Sequence, residues 1–252
     1  MPAPQPDWAY FVDLDGTLLE IAELPADVRS DPRLRATVSA LATVAGGAVA
    51  VITGRRISEV DRLFPDLRLA VAGLHGLERR TASGLRHCHA LPSESLSAAL
   101  DHLRTMLARH PALLLEDKGV AIALHYRQAP ALASYAHRVM REVQSALGAD
   151  FCVQPGKRVV ELKPAGRDKG AAIREFMAEP PFEGRQPVFL GDDTTDEYGF
   201  DVINELGGIS IKVGPGRSNA AWRMPDVLAV RRWLALAVAS GSTAASTHHT
   251  TK

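Results

Sequence analysis

The sequence predicts an α/β fold: a doubly wound parallel sheet interrupted by an inserted α+β unit. Three observations predict it. Short apolar runs of strand length alternate with helical patterns in the first and last thirds of the 252 residues. Between about residues 84 and 164 the pattern changes to helix plus hairpin, twice over. The residues able to do chemistry fall just after the apolar runs, where open α/β sheets bind their ligands.

Taken in order, Trp8–Val12 reads as a buried strand that ends in Asp13-Leu14-Asp15-Gly16-Thr17, with Gly16 permitting a turn there. A loop and a helical pattern from Asp31 to Val44 follow, closed by Gly46-Gly47. Val49–Ile52 is a second buried strand, stopping at Thr53-Gly54-Arg55 before a helix over Ile57–Phe64. Leu69–Ala72 is a third strand, ending in Gly73-Leu74-His75-Gly76. The inserted segment then reads as a helix over Glu94–Arg109 and a hairpin joining Leu113–Glu116 to Val120–Arg127. A helix over Pro130–Leu147 and a strand pair, Phe151–Gln154 with Arg158–Lys163, complete it. The α/β pattern resumes with a helix over Lys169–Met177, the strand Val188–Leu190, a helix over Asp196–Asn204 and the strand Ile209–Val213. The domain expectation is therefore a core split between residues 1–83 and 165–238, an inserted unit over 84–164, and a disordered tail over 239–252. An 80-residue insertion is too long for a loop, and the tail is rich in Ser, Thr, Ala and Gly.

Composition narrows the function. Lys plus Arg equals Asp plus Glu at 29 each, so no global field recruits nucleic acid or an anionic membrane. No apolar run reaches the roughly 18–20 residues of a membrane helix, and the first residues lack a signal-peptide pattern. With only two cysteines, the expectation is a reduced, cytoplasmic protein that binds a small molecule, as a monomer or weak oligomer. His87-Cys88-His89 sets successive side chains on opposite faces, and His248-His249 lies in the tail, so neither reads as a metal site.

Four features share the predicted carboxyl ends of strands. Asp13 and Asp15 suit a nucleophile and a proton shuttle. Thr53 and the N–H groups beside it suit an oxyanion, and Lys169 at the opening of a helix suits phosphate. Asp192, Asp193, Asp196 and Glu197 crowd four carboxylates into six residues, a repulsion that a hard cation such as Mg²⁺ relieves. Singly, each has a plainer explanation: an Asp-Gly turn, a helix cap, a solvated lysine, an acidic helix start. Their convergence favours chemistry.

The ordered set Asp13-x-Asp15-Gly16-Thr17, Thr53, Lys169 and Gly191-Asp192-Asp193-x-x-Asp196 resembles the four motifs of haloacid dehalogenase (HAD)-type phosphatases. Within them, Thr53-Gly54-Arg55, Gly73-x-His75-Gly76-x-Glu78, Leu124-His125-Tyr126-Arg127, Glu161-Leu162-Lys163-Pro164 and Gly191-Asp192-Asp193-x-Thr195-Asp196-Glu197 resemble trehalose-6-phosphate phosphatases, over about Tyr10–Leu234. The resemblance implies a HAD-type Rossmann-like core with a C2-type cap, and Mg²⁺-dependent hydrolysis of trehalose 6-phosphate, the last step of trehalose biosynthesis. It assigns attack to Asp13, acid–base work to Asp15, and phosphoryl binding to Thr53 and Lys169. Asp13, the backbone carbonyl of Asp15 and Asp192 would hold the metal, with Asp193 and Asp196 touching it directly or standing one step behind. Gly16, Thr17, Gly54, Arg55, His75 and Gly76 from the core, and His125, Arg127, Glu161 and Lys163 from the cap, would bind substrate. Two points stay open. Lys163 and Lys169 both fall in the third-motif region, Lys169 being preferred because it precedes Gly170 at a helix opening. Glu161 and Lys163 share a strand face and would also suit a surface ion pair. Rival readings are a phosphatase for another sugar phosphate, a phosphoacceptor module, and a catalytically inert binding domain.

Overall fold

The computed structural model describes residues 1–24, 27–89 and 93–247, the last six as backbone alone. In chain order the elements are β1 (Ala9–Val12), α1 (Pro32–Val44), β2 (Val49–Ile52), α2 (Ile57–Leu63), β3 (Ala70–Gly73), β4 (Glu78–Arg80) and β5 (Arg86–Cys88). Then come α3 (Glu94–Leu107), β6 (Leu114–Asp117), β7 (Ile122–His125), α4 (Ala133–Leu147), β8 (Phe151–Gly156) and β9 (Val159–Pro164). The chain finishes with α5 (Lys169–Met177), β10 (Pro187–Gly191), α6 (Glu197–Glu205), β11 (Ile209–Val213), β12 (Trp222–Met224) and α7 (Val227–Thr247). It divides into two compact units: residues 1–87, 168–192 and 196–252, and residues 88–167 with 193–195.

The first unit is built on an eight-stranded sheet of order β12-β11-β10-β1-β2-β3-β4-β5. From β12 to β3 neighbouring strands are parallel, and β4 pairs antiparallel to β3. Both faces are covered, which is why these strands read as unbroken apolar runs. Tyr10 and Val12 join Leu34, Val38 and Leu41 of α1, Val60 of α2 and Val230, Trp233 and Leu234 of α7. Ala9 and Phe11 point the other way, into a cluster with Ile173 and Phe176 of α5 and Phe200 and Ile203 of α6. Local capping fixes the helix starts: the Asp31 side chain accepts from Leu34 N–H ahead of Pro32, and the Asp168 side chain accepts from Ala171 N–H. From β1 the chain turns first to β2 and β3 and later to β10 and β11 on the other side. The crevice between β1 and β10 is thus the sheet's topological switch point.

β4, β5, β12 and α7 of this unit are not in the sequence reading. β4 has no apolar signal; Arg80 is buried by a two-pronged pair with Asp61 and Arg79 by Glu175 and Glu179, its guanidinium lying over Phe176. The expected disorder from residue 239 is corrected: the helix begun at Val227 runs to Thr247. Its apolar residues anchor in the core, and once a helix is nucleated each further residue adds a hydrogen bond at little cost. Residues 248–252, including His248-His249, lie outside the described residues.

The second unit is a four-stranded antiparallel sheet, β6-β7-β9-β8, with α3 and α4. Leu124, Val160 and Leu162 pack with Leu100 and Leu103 of α3 and with Val139 and Met140 of α4. In the region read as one helix over 130–147, Pro130–Leu132 forms a 3₁₀ turn before α4. The opposite sheet face is polar. Register aligns Glu116, Ala123, Glu161 and Gln154 in one row across it.

Candidate active site

Parallel pairing of β1 with β10, with Val12 opposite Leu190, brings Asp13 beside Gly191-Asp192. Asp13 N–H donates to the Leu190 carbonyl at 2.9 Å, which locks that register one residue beyond the strand. Two glycines then let carboxylates converge. Gly16 has φ +81°, and a Cβ on it would lie 2.1 Å from Asp192 Oδ2. A Cβ on Gly191 would lie 2.3 Å from Asp196 Cγ, so only glycine lets the Asp196 side chain fold back against the strand end. The result is a buried cluster of Asp13, Asp192 and Asp196, each offering an oxygen within 4.8 Å of the others.

Lys169, the first residue of α5, is 2% exposed and donates through Nζ to Asp13 Oδ1 at 2.7 Å and to Asp196 Oδ1 at 2.6 Å. Burial works against its charge, but the two carboxylates outweigh burial and hold its pKa above the usual lysine value. Burial, together with Asp196 and Asp192, pushes the Asp13 carboxyl well above the ordinary carboxylate range, against the pull of Lys169. Such a cluster favours a bound positive charge. Its all-oxygen, all-carboxylate donor set fits a hard divalent cation. Thr17 Oγ1 adds a fully buried hydroxyl with no partner among the described residues. Lys212 of β11, 5% exposed, donates to the Asp192 backbone carbonyl and holds that turn.

On the other flank, β2 ends at Thr53, whose backbone N–H donates to Ala72 and whose carbonyl accepts from His75 N–H. Its hydroxyl accepts from Arg55 N–H at 3.1 Å. Arg55 in turn clamps Asp15 with both prongs, Nε to Oδ2 at 2.7 Å and Nη2 to Oδ1 at 2.8 Å. The His75 ring packs against Gly54, and Gly76 lies beside the Asp168 carbonyl at the head of α5. Glu78 accepts from Ile57 N–H and so ties β4 to the start of α2.

The inserted unit places the remaining sequence-derived residues on its polar sheet face and at the end of the same hairpin. Glu161, 6% exposed, pairs with Lys118 at 2.5 Å. Lys163, 2% exposed, donates to the Arg167 carbonyl. Both are buried, so a surface ion pair does not describe them. His125 bonds Glu116 at 2.7 Å. Burial would raise the Glu116 carboxyl, but His125 and Lys118 overcome it and hold the pKa below its usual value. Arg127 donates to the Lys157 carbonyl.

The Asp193 side chain stands outside the three-carboxylate cluster and accepts from Lys157 N–H at 2.8 Å and from Thr194 N–H at 2.7 Å. Each of its oxygens thus accepts a backbone N–H. The Asp15 carboxylate also lies outside that cluster and is held by Arg55. Of the two lysines in the third-motif region, Lys169 is the one in the cluster. The sequence reading missed Lys118, Glu116 and Lys212; lysines in a turn or late in a strand carry no local signal, and only the pairing across strands reveals their burial.

The sheet order and the acidic strand ends define the class of fold. A haloacid dehalogenase-like hydrolase from B. subtilis superposes with a TM-score of 0.61 at 15% identity, covering 90% of this chain and 98% of that one. The C-terminal domain of the C. albicans trehalose-6-phosphate phosphatase gives 0.81 at 21% identity, covering 91% of each. The core thus has the HAD-like hydrolase fold. Residues 11–227 match the family model for trehalose-phosphatase. The trehalose-6-phosphate phosphatase of Escherichia coli K12 is 46% identical over 231 residues, 90% of this chain and 85% of that protein. The chain belongs to the trehalose-phosphatase family. Among its described residues no helix is long and apolar enough to cross a membrane.

Proposed function

We propose that this protein hydrolyses trehalose 6-phosphate to trehalose and phosphate through an aspartyl-phosphate intermediate, with Mg²⁺ as its cofactor. The observation that carries the chemistry is the buried Asp13–Lys169–Asp196 bridge beside Asp192 at the sheet's switch point. The E. coli relative at 46% identity supports the substrate.

In this reading a carboxylate oxygen of Asp13 attacks the phosphorus in line. An Asp–O–P bond forms as the bond from phosphorus to the sugar oxygen breaks. Asp15 gives its proton to that leaving oxygen. Asp15 then takes a proton from water as the water attacks the same phosphorus, which releases phosphate and restores Asp13. The Arg55 clamp fixes where Asp15 stands for both transfers. Lys169 and the Thr53 hydroxyl, with N–H groups of the Thr53 turn, hold the transferring oxygens, where preorganised charge supplies most of the rate. Asp13, Asp192 and the Asp15 carbonyl would hold Mg²⁺, with Asp196 beside it. When bound, the ion offsets the repulsion between a carboxylate nucleophile and an anionic ester. In the first unit, Gly16, Thr17, Gly54, His75 and Gly76 would contact substrate. The polar sheet face of the inserted unit, with Glu161, Lys118, Lys163 and His125, and Arg127 beside it, supplies groups suited to sugar hydroxyls.

The test is phosphate release from a panel of sugar phosphates and p-nitrophenyl phosphate, with and without Mg²⁺, with Asp13→Asn as control. A metal-dependent preference for trehalose 6-phosphate that is lost in the variant supports the whole reading. Preference for another sugar ester overturns the substrate and keeps the chemistry. Turnover that survives Asp13→Asn overturns the nucleophile.

A further inference from the structure

On the polar face of the second unit's sheet, Gln154 of β8 stands opposite Glu161 in antiparallel register, so the two side chains share a face. Gln154 is 8% exposed, and its Nε2 is buried with no hydrogen-bond partner among the described residues. The charged neighbours on this face are engaged: Glu161 by Lys118, and Glu116 by His125. A buried amide N–H without an acceptor is unfavourable in the free protein, and natural proteins retain few of them. Evolving a leucine or methionine here would remove the deficit with little change of volume. A primary amide offers a donor and an acceptor in one plane and carries no charge. That chemistry suits a pair of sugar hydroxyls rather than a phosphate.

We infer that Gln154 is a specificity-determining residue, its side-chain amide donating to a hydroxyl of the sugar that carries the ester. The inference rests on the sugar-phosphatase reading above and extends it to a residue outside the family-like motifs. Binding satisfies the orphan donor, so an ester with no sugar gains nothing from it.

The experiment compares wild type with Gln154→Met and Gln154→Glu on trehalose 6-phosphate and p-nitrophenyl phosphate, with thermal unfolding of each ligand-free protein. Gln154→Met is expected to lower kcat/KM about tenfold on the sugar ester, mainly through KM, and to leave the p-nitrophenyl ester within about twofold. It should also unfold at the same temperature as wild type or roughly 2–4 °C higher, because the unpaired donor is gone. Gln154→Glu keeps an acceptor and loses the donor, and should show the same sugar-selective loss. Equal losses on both esters, no loss on the sugar ester, or a lower unfolding temperature for Gln154→Met with both activities reduced would overturn the inference. A wild-type enzyme that cleaves the p-nitrophenyl ester and no sugar phosphate would overturn the underlying reading with it. Normal sugar turnover with an indifferent Gln154 overturns this inference alone.

Discussion

Replacing Lys169 by methionine removes one buried ammonium and keeps most of the side chain's bulk. The lost contacts are those to Asp13 at 2.7 Å and Asp196 at 2.6 Å. At an effective dielectric of about 20, each is an attraction of about 6 kcal/mol. Burying the ammonium opposes most of that, and removing one partner from a buried ion network costs about 3–5 kcal/mol net. In the absence of a cation the variant should therefore unfold roughly 6–20 °C below wild type. The three carboxylates of the cluster are left with no buried lysine between them. Adding saturating Mg²⁺ should then raise the unfolding temperature of the variant more than that of wild type, since the cation replaces the missing positive charge. Turnover should not return with it: a donor to the transferring phosphoryl oxygens is gone, a loss of about 10²–10³ in kcat. Thermal unfolding in chelator and in Mg²⁺, beside phosphate release, measures both effects. If metal stabilises the two proteins equally, Lys169 is not the cluster's counter-charge. If kcat stays within about tenfold, Lys169 does not act on the phosphoryl group.

Three further predictions test other parts of the structure. Gly16→Ala forces a Cβ to within 2.1 Å of Asp192 Oδ2 on a backbone at φ +81°, so calorimetric titration should show Mg²⁺ affinity weakened at least about tenfold; unchanged affinity would take Asp192 out of the metal site. Asp61→Asn weakens the two-pronged partner of buried Arg80 and should destabilise the core by about 1–3 kcal/mol at neutral pH. Hydrogen bonds from Arg80 lower the Asp61 pKa, against a smaller effect of burial. That stability is present above the unfolded carboxyl value, about 4, and is lost as pH falls through the folded value. Urea midpoints of the two proteins should thus converge in acid; a constant gap would rule out the ionised pair as its source. Glu161→Ala strips buried Lys118 of its carboxylate, and should impair the disaccharide ester far more than p-nitrophenyl phosphate; equal losses would mean that Glu161 does not bind sugar.

How much of this was legible in the sequence depends on how local each feature is. β1, β2, β10 and β11 are covered on both faces, so each appears as an apolar run with no alternation to decode. The turn after β1 is local too, and its Asp-x-Asp-Gly-Thr string announces itself. Strand β4 was invisible because its sequence is Glu78-Arg79-Arg80, and its burial is a property of Asp61, Glu175 and Glu179, remote in the chain. The helix through residue 239 was hidden by small polar residues that would be disordered alone and are helical as the continuation of an anchored element.

The same distinction separates the two candidate sites. In the first unit, chemistry gathers at the ends of adjacent parallel strands, so finding the strands finds Asp13, Thr53 and Asp192 together. Lys169 joins them because α5, which leads into β10, begins at that same end of the sheet. In the second unit, polar groups lie along strands and meet through register. Glu161 meets Lys118 from a hairpin turn, and Glu116 and Gln154 join the same row only once β6, β7, β9 and β8 are paired. A slip of one residue in that sheet would turn this row toward α3 and α4 and bring Leu162 and Val160 out in its place. The apolar face that holds register against the helices therefore also fixes which polar groups are presented on the other. A core substitution such as Leu162→Ala, which cannot touch a ligand, should for that reason impair sugar selectivity before it impairs hydrolysis of a simple ester.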